Sequence, residues 1–90
     1  VEAAAMIEEG VARRRADYGE ASWRTAEAKT IAADLRLAQG RRDQALAIWA
    51  QAVPILKKDR PALRATRHAV ERWHAAAAEE TATAAAGASP

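Results

Sequence analysis

Glu71 and His74 stand three residues apart, the step that puts a carboxylate and an imidazole on one helical face, and they are the nearest this sequence comes to metal-ligand chemistry. A carboxylate-bridged metal pair in a helical bundle needs a second Glu-x-x-His step and further carboxylates from facing helices, and the chain has no other. His68, six residues before His74, falls on a different face, so Glu71 and His74 read as a solvated pair. Nucleophilic chemistry has no better support. There is no cysteine, no Gly-x-Ser-x-Gly and no glycine-rich phosphate loop, and Ser22 and Ser89 read as a helix cap and a tail residue. The carboxylates of Glu8-Glu9 and Glu79-Glu80 are neighbours in sequence, so on a helix they point apart. No metal site, cofactor or reaction follows from these residues, and the chain reads as non-enzymatic.

Composition bounds what can position anything else. Ninety residues make one small domain, which hides only about 60 to 65% of its extended surface on folding. Half of the residues are hydrophobic, but much of that is alanine; three Trp and one Tyr supply the bulk, with no Phe. Each Trp can bury about 150 to 250 Å², so Trp23, Trp49 and Trp73 are the expected anchors of the core, Trp73 being the one most open to a ligand. The absence of cysteine fits a reducing compartment. No apolar run approaches the roughly 20 residues of a membrane span, and the stretch after Val1 does not resemble a signal peptide. The expectation is a soluble, cytoplasmic chain.

Fourteen basic and twelve acidic residues give a net charge of +2. Arg13-Arg14-Arg15, Arg41-Arg42 and Lys57-Lys58 fall where helices end or turns begin, and cations at helix C-termini are favoured by about 0.3 to 1 kcal/mol each. Helix stability thus accounts for most of them, and a nucleic-acid partner is the least favoured.

Hydrophobic spacing predicts four helices and no strand, at about 2–17, 23–39, 43–58 and 61–78, forming a domain over 1–80. In the first, Ala3, Ile7, Val11 and Tyr18 draw one seam, and Gly19 closes it in the left-handed conformation. Ser22 caps the second. There Trp23, Ala26, Thr30, Ala33 and Leu37 follow three-four spacing beside a second stripe of Ile31, Leu35 and Ala38, so this helix needs two neighbours. Gly40 ends it, and the short turn to an Asp43 cap demands antiparallel packing. The third helix buries Ala45, Leu46, Trp49, Ala52, Val53 and Leu56 and bends near Ala50 to Val53, because Pro54 removes a donor and crowds the preceding turn. Pro61 opens the fourth, with Leu63, Thr66, Val70, Trp73 and Ala77 as its seam. The Ala/Thr-rich stretch 81–90 has nothing bulky to bury and reads as a disordered tail.

The sequence also agrees with itself at an offset of 42 residues: Ala3, Ile7, Gly10 and Val11 recur as Ala45, Trp49, Ala52 and Val53. A repeat of that length with helical spacing marks an array in which each unit buries its face on the next. Gly40, Ala45, Trp49 and Ala52, with Ala33 before them, stand at the spacing of the tetratricopeptide repeat, and the period and the link Tyr18 to Trp23 resemble its longer kinesin-light-chain type. The likeness covers about Ala3 to Leu56. Arg36 stands where the family usually has an aromatic, and Gly10 where it has alanine. The stretch Trp23 to Ala28 resembles the last repeats of bacterial kinases and regulators that carry such arrays.

The resemblance implies an all-α, right-handed stack of antiparallel hairpins with the fourth helix as a cap, part of a longer scaffold. It implies a concave face for a peptide or neighbouring domain, formed by Glu27, Thr30, Asp34 and Leu37 of the second helix with Arg67 and Glu71 of the fourth. Glu27 and Asp34, seven apart, would make that face modestly acidic and suited to a basic or amphipathic segment. A capping or dimerising role is the second expectation, since Ile7 and Val11 of the first helix lack a cover and invite self-association.

Overall fold

A computed structural model describes residues 2–88, with side chains described for 3–79. Four helices follow one another: α1 Glu2–Tyr18, α2 Trp23–Ala38, α3 Arg42–Asp59 and α4 Arg64–Ala88. Each packs on the next in chain order, so α2 lies between α1 and α3, and α3 also receives α4. With links of three or four residues, successive helices run antiparallel. The guanidinium of Arg60, after α3, lies 4.6 Å from the Trp23 ring at the start of α2, which brings the first and third links to the same end of the stack.

Local chemistry sets the boundaries. The Gly19 amide donates to the Arg15 carbonyl, closing α1 with Gly19 at φ 90°. At the end of α2 the Gly40 amide bonds the Leu37 carbonyl and the Arg41 amide that of Arg36, a paired closure that places Gly40 at φ 78°. Ser22 Oγ accepts from the Arg24 amide at 3.2 Å, as a cap should.

Three expectations are corrected. Arg41, not Asp43, stands at the cap of α3 and makes no side-chain cap bond; Asp43 lies inside the first turn, where its charge suits the helix dipole. Pro61 sits in the turn before α4, whose first residue is Arg64. The tail is helical through Ala88, because alanine has the highest helix propensity of any residue and prolongs a helix already nucleated. Ser89 and Pro90 lie outside the described residues. Pro54 is inside α3, which continues to Asp59, and Leu56 beyond the proline is fully buried.

Two apolar clusters hold the stack. In the larger, Ala33 of α2, Ala45, Trp49 and Val53 of α3 and Ala69 and Ala76 of α4 come together, with Leu37, Leu46, Ile48, Val70 and Trp73 against them. Trp49 is its one fully buried ring among the described residues, and α2 and α4 on either side meet it mostly with alanine. The smaller joins Ala26, Ala52 and Leu56 under Trp23 and Ile55. Ala45, Ala52 and Val53 thus do the packing their spacing predicts. On α1 the expectation that Ile7 and Val11 lack a cover is corrected, since Val11 is buried against α2 and Ile7 half-buried, and Ala3 and Gly10, expected as packing positions of the repeat, are exposed.

The repetition extends to hydrogen bonds that the apolar pattern does not reveal. The buried Thr25 hydroxyl donates to the Gly19 carbonyl at 2.7 Å, and the buried Thr66 hydroxyl to the Arg60 carbonyl at 2.7 Å. The same carbonyls accept from the amides of Ser22 and Leu63, at 3.3 and 3.2 Å. These links are built alike at a spacing of 41 residues, one fewer than the offset at which the seams of α1 and α3 coincide.

Candidate interaction face

The 41-residue spacing shows how α2 and α4 differ. On α2, Ala26 packs on Ala52 and Leu56, Ala33 on Ala45 and Trp49, Thr30 is buried and Leu37 packs against the larger cluster. Their counterparts on α4 are Arg67, Glu71, His74 and Ala78, all exposed. The face by which α2 grips α3 is therefore polar on α4.

The six residues expected on the concave face do not converge; they fall into three pairs that face different ways. Glu27 and Asp34 turn from α2 toward α4. Thr30 and Leu37 go into the packing with α3, the Thr30 hydroxyl donating to the Glu27 carbonyl at 2.7 Å. Arg67 and Glu71 stand on the outer side of α4, where they line a surface hollow of about 330 Å³ with Arg64 and His68. The displacement has a simple cause. The stripe of α4 turned toward α2 is Arg64, His68 and Arg72, spaced by four, with Arg64 near Glu27 and the other two at Asp34, and it lies one helical step from the Arg67 and Glu71 stripe.

Asp34 Oδ1 accepts from Arg72 Nε, and His68 Nε2 lies 4.0 Å from Asp34 Oδ2. This pairing ties α2 to α4 and engages one of the two carboxylates predicted for the strip. Nearer the links, Glu27, Leu63, Arg64, Ala65 and His68 line a cleft of about 440 Å³. Glu27 enters no ion pair among the described residues. The face is thus of mixed sign, with a carboxylate and a guanidinium across a small apolar floor. His68, Arg72 and Arg64 went unassigned in the sequence, although their four-residue spacing marks them as one stripe.

A second polar cluster lies at the α1–α2 link. Glu20 accepts from Arg15 Nε and, through its other oxygen, from Lys29 Nζ, whose side chain is only 8% exposed. The hydrogen bond from Lys29 first, and that from Arg15 next, hold the Glu20 carboxyl below its ordinary pKa of 4.5. The arrangement clamps the link against α2 and is satisfied within itself.

On α1, Met6 is 71% exposed and Ile31 of α2 is 52% exposed. With Ile7, Gly10, Arg14 and Ala28 they surround a hollow of about 230 Å³. Glu71 and His74, the pair with metal-ligand spacing, are both exposed, and among the described residues no three His, Cys, Asp or Glu side chains converge. No helix of the described residues is long and apolar enough to cross a membrane. Comparison with protein-family models, with curated proteins and with solved structures finds no match to this chain.

Proposed function

We propose that this chain is a protein-interaction module, a segment of tetratricopeptide-like helical scaffold whose α2–α4 cleft receives a peptide or a loop of a neighbouring domain. The observation that supports it best is the repetition of one structural unit in both sequence and hydrogen bonding: the buried threonine bonded back across its link recurs as Thr25 and Thr66. Stacked hairpins of this kind make extended concave faces, and such faces bind segments of other chains. The guest that fits is an extended segment with a basic side chain for Glu27, an acidic one for Arg64, and a small apolar residue between them for Leu63 and Ala65.

Selection of random displayed peptides on the wild-type chain tests this directly. The recovered sequences are expected to carry that charge order and to lose at least about tenfold in affinity, about 1.4 kcal/mol, on Glu27→Lys with Arg64→Glu. Failure to recover peptides, or peptides indifferent to both substitutions, overturns the reading.

A second reading, self-association through α1, is favoured by the exposed Met6 and Ile31. Sedimentation over a range of concentrations, on the wild type and on Ile31→Lys, decides it. A wild type that stays monomeric throughout removes it.

A further inference from the structure

The charges of this chain, nearly balanced in total, are sorted between the two ends of the stack. Segments 13–29 and 57–67, which the antiparallel order gathers at the end carrying the first and third links, hold ten basic and four acidic residues; the rest of the chain holds four basic and eight acidic. Ion pairing is sorted too. In the acidic half Arg36 pairs with Glu8, Arg42 with Glu79 and Arg72 with Asp34. In the basic half only Arg15 and Lys29 are paired, both to Glu20. Arg13, Arg14, Arg24, Lys57, Lys58, Arg60, Arg64 and Arg67 are exposed and join no ion pair among the described residues. The acids beside them are Asp17 and Asp59, with Glu27 a turn deeper and Glu71 sharing surface hollows with Arg64, Arg67 and Lys57.

Helix stability explains only part of this. Cations at the C-terminal ends of α1 and α3 suit the dipole, but Arg24, Arg64 and Arg67 occupy first turns, where the dipole disfavours them, and neither α2 nor α4 has an acid in its first turn to offset them. At the centre of the same end, the Arg24 guanidinium lies 4.9 Å from the Tyr18 ring centroid and 4.7 Å from that of Trp23, and the Arg60 guanidinium 4.6 Å from that of Trp23. A guanidinium held on an aromatic ring presents its N–H groups to an anion in a fixed direction; Arg60 Nη1 donates to the Asp59 carbonyl at 2.8 Å, which leaves the other N–H groups of Arg60 for that role. Tyr18 remains half exposed beside them.

We propose that this link end is a binding surface for the backbone of a single-stranded nucleic acid, with Arg24 and Arg60 on phosphates, a base against Tyr18, and the Arg13-Arg14 and Lys57-Lys58 clusters extending the track to either side. Unpaired cations interleaved with an open aromatic face are what a phosphate and its base require together. An acidic peptide would have use for the cations alone. The surface is separate from the Glu27 cleft except at Arg64, which the test leaves untouched.

The probe is a fluorescent oligothymidylate of about 16 nucleotides, the upper site size for one binding fold, titrated with the full chain and followed by anisotropy. Four phosphate contacts predict that affinity falls about 50-fold between roughly 50 and 200 mM salt. Arg24→Glu with Arg60→Glu abolishes binding at low salt. Lys57→Gln with Lys58→Gln, a pair outside the aromatic cluster whose neutralisation gives up only the modest dipole contribution of two cations at the end of α3, weakens it at least about tenfold, whereas Arg41→Gln at the opposite end leaves it unchanged. Tyr18→Ala costs at least about fivefold, the low end for losing one stacked base. No binding at low salt overturns the proposal. So does displacement by polyglutamate at equal charge together with indifference to Tyr18→Ala, which assigns the surface to an acidic protein segment.

Discussion

Replacing Thr25 and Thr66 by valine, singly and together, tests whether the two links are one device built twice. Valine keeps the β-branched shape and removes the hydroxyl, so the bonds to the Gly19 and Arg60 carbonyls are lost with little change in packing. Neither carbonyl is orphaned, because each still accepts from the amide three residues on. The loss is therefore that of a net hydrogen bond, about 0.5 to 1.5 kcal/mol, rather than the larger penalty of a bare buried acceptor. Both hydroxyls are buried, so solvent cannot replace the bond. We expect about 1 kcal/mol for each variant and about 2 for the pair, since sites without shared partners add within about 0.5 kcal/mol. In a domain of this size each step lowers the melting temperature by about 4 to 8 °C. Urea unfolding followed at 222 nm and by Trp fluorescence gives the three values on one scale. If one substitution costs a full kilocalorie and the other nothing, the links are not equivalent and the structural repeat loses its chief support.

Trp49→Ala should remove about 3 to 5 kcal/mol, a large share of the roughly 5 to 14 kcal/mol available to a chain of this length. Trp49→Phe should cost clearly less, because it retains a ring and removes a buried indole N–H that has no acceptor among the described residues; equal losses in the two variants would refute this. Glu20 sets an acid limb. Its folded pKa lies below 4.5 because of Lys29 and Arg15, so between the two values the unfolded chain binds more protons, and stability present above pH 4.5 is lost as pH falls through the folded pKa. The urea midpoint measured from pH 6 to about 2.5 should decline less steeply for Glu20→Gln, from a lower plateau because Lys29 loses its carboxylate; parallel curves would exclude the carboxyl. Finally, Arg67→Ala, Glu71→Thr and His74→Ala together give α4 the gripping face of α2, and the triple variant should self-associate in sedimentation at concentrations where the parent does not.

Much of the fold is legible because glycine and apolar spacing speak for themselves: Gly19 and Gly40 close helices, and Trp49, Ala45 and Ala52 line the seam they predict. The start of α3 is less so, because Asp43 serves equally well as a cap or within a first turn and nothing in the residues chooses. The helical tail is not legible from burial, because alanine needs only a nucleated helix to continue and buries almost nothing in doing so. The interaction face depends on rotation about α4. Arg67 and Glu71 or Arg64, His68 and Arg72 are equally regular stripes, and only the register in which Val70 and Trp73 meet α3 decides which of them faces Asp34.

The two outer sides of the stack are consequently unlike, and the difference lies in a few side chains. On α1 the uncovered surface carries Met6 and Ile7 beside Ile31, apolar groups whose burial would stabilise by about 1.5 to 3 kcal/mol apiece. On α4 the corresponding surface carries Arg67, Glu71 and His74, whose burial without partners would cost more than any packing there could return. Further burial is therefore favoured against α1, and against α4 only where the added surface brings opposite charges for these side chains. The same register that packs Ala26, Thr30 and Ala33 of α2 against α3 thus carries charge on α4, and this is the largest chemical difference between the two helices.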